Sequence, residues 1–179
     1  MKRVVFVVAM LALACSGPVV KPSPSPSPSP TPTVSAAGTN PCLVDGKVYC
    51  IVNPAVTQAT IKQTICVPGW TATVRPPANY TDQLKAQQLV RFASLHQGDS
   101  QWTIAGTEED HRLPLDVGGN PSDPMNLSPQ VHRTSTLKDQ EEAQLGGSKG
   151  LVCQGKMTLL QAQQKMVADW LGPWPAYKK

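Results

Sequence analysis

The chain has 179 residues and a formal net charge of +4, and it contains no long run of Lys or Arg. This weakly basic balance permits nucleic-acid binding but does not by itself indicate it. The stretch from residue 40 to about residue 174 is long enough for one domain with a modest hydrophobic core.

The N-terminus has the features of an export signal. Lys2 and Arg3 precede an apolar run from Val4 to Ala14 that is too short to span a bilayer as a mature helix. The segment Ala12-Leu13-Ala14-Cys15 resembles a bacterial lipobox, in which the cysteine becomes the lipidated first residue. We therefore predict a signal peptide over residues 1–14 and a lipid anchor on Cys15. The protein is then an exported lipoprotein, anchored in a membrane at the cell surface or elsewhere outside the cytoplasm. A plain secretory signal cleaved near Ala14 or Ser16 is the alternative.

A spacer follows the predicted anchor. Ser and Pro alternate from Pro22 to Pro32, with no apolar side chains to bury. Because proline fixes φ and has no backbone donor, this composition predicts an extended, disordered polyproline-like linker. At about 3.1 Å per residue, the stretch 18–33 would span roughly 50 Å. We therefore assign residues 15–39 to the anchor and linker, and residues 40–179 to the folded domain. Removal of the two basic residues of the signal leaves a mature charge of +2.

Four cysteines lie in the predicted domain, and an even number in an exported domain indicates disulfide bonds. Three pairings are possible. We favour Cys42–Cys50, which closes a small loop around Asp45-Gly46, together with Cys66–Cys153, which joins the two edges of the region that carries the motif described below. A zinc site is the alternative, but no CxxC pair is present.

Local patterns predict an α+β fold. Thr81 is the predicted N-cap of a helix over 82–95, and Gly146-Gly147 are predicted to end a helix over 136–145. A final helix is predicted over 158–170, and the prolines and glycines of 112–130 predict loops and a hairpin. Strands are predicted at 47–52, 70–74 and 101–107, while 57–66 is compatible with a helical turn or a strand.

One motif carries chemical information. It runs Glu109-Asp110-His111-Arg112-Leu113-Pro114, continues with Gly118-Gly119 and Asn126-Leu127, and ends in a helix that begins near Lys138-Asp139. This order resembles the core of the HNH (His-Me finger, ββα-metal) nucleases. The similarity extends over about residues 53–171 to a set of exported bacterial HNH-like proteins, through Thr64-Ile65-Cys66, Gly69-Trp70-Thr71, Arg75-Pro76-Pro77, Val152-Cys153-Gln154-Gly155 and Asp169-Trp170.

The resemblance implies a small α+β domain with a ββα-metal core and flanking helices, and metal-assisted hydrolysis of a phosphodiester. His111 is then the general base, Asn126 braces the loop that holds it, and Asp110 and Asp139 bind a divalent ion. Asp139 stands where the family usually has His or Asn. The resemblance implies Mg²⁺ or Mn²⁺, with Zn²⁺ or Ni²⁺ as alternatives, and a nucleic-acid substrate, DNA before RNA; no protein partner is implied. Weaker candidates are His132 and Glu142 as ligands and Arg112 as a phosphate contact.

Two further questions follow from this interpretation. Adjacent residues of a regular strand point to opposite faces, so Asp110 and His111 share a site only if the strand ends or bulges there. The alternative function is a surface lipoprotein that keeps the fold as a non-catalytic binding or structural module. That alternative predicts that the site residues do not converge, or that a salt bridge fills the site.

Overall fold

The computed structural model describes residues 40–171. The signal peptide, the Cys15 anchor and the Ser/Pro linker predicted for residues 1–39 lie outside the described residues. Within residues 40–171 the protein is a small α+β domain with four α-helices and two antiparallel two-stranded sheets. The α+β class is therefore confirmed at this level.

The first sheet is a small hairpin at the start of the domain. Strand β1 (Leu43–Val44) pairs with β2 (Lys47–Val48) across Asp45 and Gly46, which both have positive φ. Positive φ at both central residues is the geometry of a type I′ turn, which matches the twist of the two strands. The strand predicted over 47–52 is shorter than expected, because β2 ends at Val48. Further along this segment, Val52 forms an isolated β-bridge with Gly119.

Two helices follow. Helix α1 (Trp70–Val74) replaces the strand predicted there, so that prediction was wrong. Gly69, with φ of 81°, turns the chain into the helix, and Trp70 packs against the core. Tertiary packing has thus overridden the β-propensity of this segment. Helix α2 (Ala78–Leu95) begins directly after Pro76-Pro77, ahead of the predicted cap.

The second sheet joins distant parts of the sequence. Strand β3 (Thr107–His111) pairs with β4 (Leu127–Val131) in unbroken register, from Thr107 opposite Val131 to His111 opposite Leu127. The strand predicted over 101–107 was wrong, because that segment forms turns and pairing begins only at Thr107. The loop between the strands contains two short 3-10 turns, Leu115–Val117 and Pro124–Asn126.

Helix α3 (His132–Leu145) continues directly from β4 and so begins four residues before the predicted helix. Helix α4 (Leu159–Met166) begins at the predicted Thr158, which forms a capping box with Gln161. The helix ends in a π-helical turn, Val167–Leu171. Its buried face contains Leu159, Ala162, Gln163 and Met166, whereas Leu160 is 39 % exposed.

The core lies between the N-terminal segment, the loop after β3 and the helices α3 and α4. Its members are Cys42, Cys50, Val56, Ile61, Ile65, Leu113, Val117, Leu145, Val152, Leu159, Ala162, Met166 and Val167. Both predicted disulfides, Cys42–Cys50 and Cys66–Cys153, are formed in the structure. Such bonds persist in oxidising compartments, so the two disulfides indicate an extracytoplasmic environment for the domain. None of the helices within residues 40–171 is long and apolar enough to cross a membrane.

Candidate functional site

A pocket of about 350 Å³ opens where the end of β3, the loop after it and one face of α3 meet. Most of the side chains that line it are ionisable. They are Arg75, Glu108, Asp110, His111, Asp116, Asp139 and Glu142. Three of the four residues predicted for catalysis or metal binding, Asp110, His111 and Asp139, therefore face one cavity.

The end of β3 explains how Asp110 and His111 share this pocket. The ladder shows no bulge, and His111 is the last residue of the strand. Beyond it the chain turns, with the backbone N–H of Arg112 donating to the carbonyl of Asn126 at 2.7 Å. The alternation of a regular strand therefore stops at His111, which is one of the two conditions that the sequence had set.

The imidazole of His111 is buried, with 3 % of the residue exposed. Its Nε2 lies 2.8 Å from the carbonyl oxygen of Pro121, and a carbonyl only accepts, so Nε2 carries the proton. Burial lowers the pKa of His111 below its ordinary value of 6.5, although the Pro121 bond and the negative charge of Asp110 oppose this. At pH 7 the ring is therefore neutral, and Nδ1 holds the lone pair that accepts a proton.

Asn126 is fully buried and organises the loop around His111. Its Oδ1 accepts from the backbone N–H of Leu113 at 3.0 Å and of Ile51 at 3.4 Å. Its Nδ2 donates to the carbonyls of Leu113 at 3.0 Å and Asn120 at 2.8 Å. These bonds fix the chain just after His111 and just before Pro121, the residue that orients the ring. The brace predicted for Asn126 is thus indirect, through the backbone on both sides of the base.

Gly119 allows this close packing. A Cβ at this position would lie 1.7 Å from the carbonyl oxygen of Leu113 and 2.9 Å from Nδ2 of Asn126. Real Cβ atoms do not approach backbone so closely, so the Gly118-Gly119 pair of the motif has a steric reason at its second position.

Lys138 is a site residue that sequence reasoning missed. It is 2 % exposed, and its ammonium group forms a salt bridge with Oδ2 of Asp110 and donates to the carbonyl of His111 at 2.6 Å. The Oδ1 of Asp110 accepts from the backbone N–H of His111 at 2.8 Å. The Gln130 amide, in the orientation that satisfies both its neighbours, also donates to Oδ2 at 3.0 Å. Asp110 is therefore held by three donors.

A sequence signal for Lys138 does exist in the helix periodicity. The inward face of α3 carries Ser135, Lys138, Glu142 and Leu145, which follow one another at spacings of three and four residues. This is the spacing of a buried helical stripe. A lysine in the middle of such a stripe requires an anionic partner in the interior, because a buried ammonium group without one is costly.

Two acidic side chains of α3 face the pocket. Asp139 is exposed at its edge, and desolvation together with the charge of Asp110 raises its pKa. Burial raises the pKa of Glu142 to about 8, against the opposing charge of Lys138. Burial also raises the pKa of Asp116, whose carboxylate is hydrogen-bonded by Glu142. Glu142 is therefore mostly protonated at pH 7, and its carboxyl O–H donates a hydrogen bond to the carboxylate of Asp116.

The other sequence candidates lie elsewhere. His132 is exposed at the first position of α3 and does not line this pocket, so the early start of the helix removes it as a ligand here. The guanidinium of Arg112 donates to the carbonyl of Tyr49 at 3.3 Å and is not part of the pocket wall. Arg75 lines the pocket, where its positive charge lowers the pKa of Asp116 and of Asp139 against the larger effect of burial.

The donor types in the pocket fit a hard divalent ion better than a soft one. Asp110 and Asp139 bring carboxylate oxygens from β3 and α3, and Mg²⁺ is usually held by one or two carboxylates and several waters. No cluster of three His, Cys, Asp or Glu side chains with metal-binding geometry occurs within residues 40–171, so a site built wholly from protein ligands, as Zn²⁺ prefers, is not supported there. The ion would have to share Asp110 with Lys138 or displace it.

Comparisons of the chain with protein-family models, with curated proteins and with solved structures found no match.

Proposed function

We propose that this protein is an exported, metal-dependent endonuclease of the HNH type that hydrolyses phosphodiester bonds of nucleic acid. The observation that carries the proposal is the state of His111. A buried, neutral imidazole, oriented by the Pro121 carbonyl, lies at the wall of a pocket that also contains Asp110 and Asp139. A general base needs this combination of a fixed ring, a free lone pair and a pKa below the working pH.

In the proposed reaction, Nδ1 of His111 accepts a proton from the water that attacks phosphorus. The Nε2–H bond to Pro121 holds the ring in place and stabilises the positive charge that develops on it. Asp110 and Asp139 would hold a divalent ion, and that ion would supply charge neutralisation at the phosphate and at the leaving oxygen. Arg75, a cation of the pocket wall that interacts electrostatically with Asp116 and Asp139, would contact a phosphate oxygen.

The charge of the pocket needs to be reconciled with an anionic substrate. Five carboxyl groups line it, and a phosphodiester would be repelled if all were ionised. Two features reduce the negative charge at neutral pH. The pKa of about 8 keeps Glu142 mostly protonated, and Lys138 neutralises Asp110. Together with Arg75 and the ion, these features make the pocket compatible with a phosphate.

The proposal is tested with the purified protein on supercoiled plasmid, in buffers containing Mg²⁺, Mn²⁺ or EDTA. We expect nicking or degradation with either ion and none in EDTA, because two carboxylates require a cation before a phosphate can approach. Parallel arms with single-stranded DNA and with RNA identify the substrate. Negligible activity in every arm from well-folded protein would contradict the function, and full activity in EDTA would contradict the metal dependence.

A second candidate is favoured by one observation. The salt bridge between Lys138 and Asp110 fills part of the site, as expected for a fold retained as a non-catalytic binding or structural module. The two functions differ in a direct measurement. A binding module retards nucleic acid in a gel without cleaving it in any metal arm, whereas the nuclease cleaves it.

We further propose that the mature protein begins at a lipidated Cys15 and is held at a membrane outside the cytoplasm. The two disulfides support the compartment, and the lipobox-like Ala12-Leu13-Ala14-Cys15 supports the anchor. At least two acyl chains would hold the protein stably, whereas one binds only marginally. We expect the protein to fractionate with membranes, to remain there during salt washing and to dissolve in detergent. We expect the Cys15→Ser variant not to associate with membranes. A freely soluble mature protein that begins at Ser16 or later would contradict the anchor.

A further inference from the structure

We propose that Lys138 is a built-in competitor for the divalent ion at Asp110 and keeps the ion affinity of the pocket low. The inference rests on the proposed function, because it concerns the ion of that same site. It assigns a role to a residue that neither catalysis nor metal binding requires.

The first step of the argument is the position of the ammonium group. Lys138 is 2 % exposed and contacts both the Oδ2 of Asp110 and the carbonyl oxygen of His111. These are contacts with the two motif residues themselves, made from the residue next to Asp139. The positive charge therefore lies where an ion bound by Asp110 would bring its own charge.

The second step is electrostatic. Two cations a few ångströms apart in a poorly solvated pocket repel each other much more strongly than they would in water. Binding of an ion to Asp110 must therefore weaken or break the bond to Lys138. The free energy of that bond opposes ion binding, which lowers the affinity relative to a pocket without the lysine.

The third step concerns where the ammonium group goes. Glu142 lies four residues after Lys138 on the same face of α3 and lines the same pocket. Its carboxyl group, whose carbonyl oxygen accepts a hydrogen bond even when the group is protonated, is a second acceptor within the reach of the displaced ammonium. Displacement then needs a rotation of the side chain and no movement of the helix.

The test is a titration of the purified full-length protein with Mn²⁺, followed by the loss of the electron paramagnetic resonance signal of the free ion. Lys138→Met keeps the aliphatic stem and removes the charge, and we expect it to bind Mn²⁺ roughly tenfold more tightly or better, the size of effect that residues around a metal site produce. The gain should disappear in Lys138→Met combined with Asp110→Asn. Lys85→Met is the matched control, since Lys85 donates to the backbone carbonyls of Ile104 and Thr107 and interacts electrostatically with Glu109, and neither Lys85 nor Glu109 lines the pocket. It should bind Mn²⁺ as the wild type does.

A second measurement uses the wild-type protein and does not depend on the folding of a variant. The lysine Cε–Hε resonance of Lys138, assigned by its absence from the spectrum of Lys138→Arg, should shift as Mg²⁺ is added. Equal Mn²⁺ affinity of Lys138→Met and wild type, or ion binding at Asp110 without movement of the Lys138 resonance, would overturn the proposal. Neither measurement involves nucleic acid. If Lys138 competes with the ion but the protein cleaves no nucleic acid, the proposed nuclease function is refuted and the proposed role of Lys138 is retained.

Discussion

We expect the His111→Ala variant to hydrolyse DNA roughly 10² to 10⁴ times more slowly than the parent protein, the range for loss of a general base. The attacking water then has no imidazole to accept its proton, since the other imidazoles of the described chain, His96 and His132, do not line the pocket. The measurement is turnover at saturating Mg²⁺ or Mn²⁺. The matched control is His132→Ala, which removes an exposed imidazole of α3 and should leave turnover near that of the parent.

Folding must be separated from catalysis in this experiment. His111 is buried, so alanine leaves a cavity and removes the bond to Pro121. His111→Gln is the better second variant, because its amide nitrogen can still donate to the Pro121 carbonyl while the side chain lacks a base. We expect both variants to be inactive and the glutamine variant to retain more of the thermal stability. Parent-like turnover in either variant would show that the base has been assigned wrongly.

The pH dependence gives an independent check of the same assignment. Burial lowers the pKa of His111 below 6.5, and the reaction needs the neutral ring. Near pH 7 the value of kcat/KM should therefore not change with the protonation of His111. It should fall only as the pH drops through the lowered pKa of His111. An acidic limb centred clearly above pH 6.5 would indicate that another group is the base.

The parts of the structure that sequence predicted correctly are those set by local signals. Thr158 and Gln161 form the expected capping box, and Gly146 follows the end of α3. The disulfide pairing also agreed, because the Asp45-Gly46 turn brings Cys42 and Cys50 together. The motif also identified Asp110, His111 and Asp139, which line one pocket because the first two lie at the end of β3 and the third lies on α3. Whether that pocket holds an ion stays a prediction.

The errors have tertiary causes. Residues 70–74 have strand-like alternation, yet no strand within residues 40–171 pairs with them, and Trp70 packs against the core as part of a helical turn. Arg75 and Lys138 were missed for a related reason. A charged residue is assumed to face solvent unless the partner that draws it inward is known, and the partner of Lys138 lies 28 residues away at Asp110.

We expect the Cys66→Ala/Cys153→Ala variant to lose about 4.5 kcal/mol of unfolding free energy, the chain-entropy value for a closed loop of this length. The two cysteines are separated by 87 residues, and their bond ties the segment before α1 to the turn between α3 and α4. Lys62 supports the same junction by donating to the carbonyl of Cys153 at 3.0 Å. Urea denaturation of the oxidised parent and the variant measures the difference.

The first disulfide provides the comparison. Cys42 and Cys50 are only 8 residues apart, so Cys42→Ala/Cys50→Ala should lose about 2.5 kcal/mol from loop closure. Both of these cysteines are 1 % exposed, and their replacement also removes buried contacts. This additional loss reduces the difference in unfolding free energy between the two variants. Cys66 and Cys153 are only partly buried, so lost packing contributes less to the long-loop variant than to the short-loop variant. If the short-loop variant is the less stable of the two, constraint of the unfolded chain is not the main contribution of Cys66–Cys153 to the free energy of unfolding.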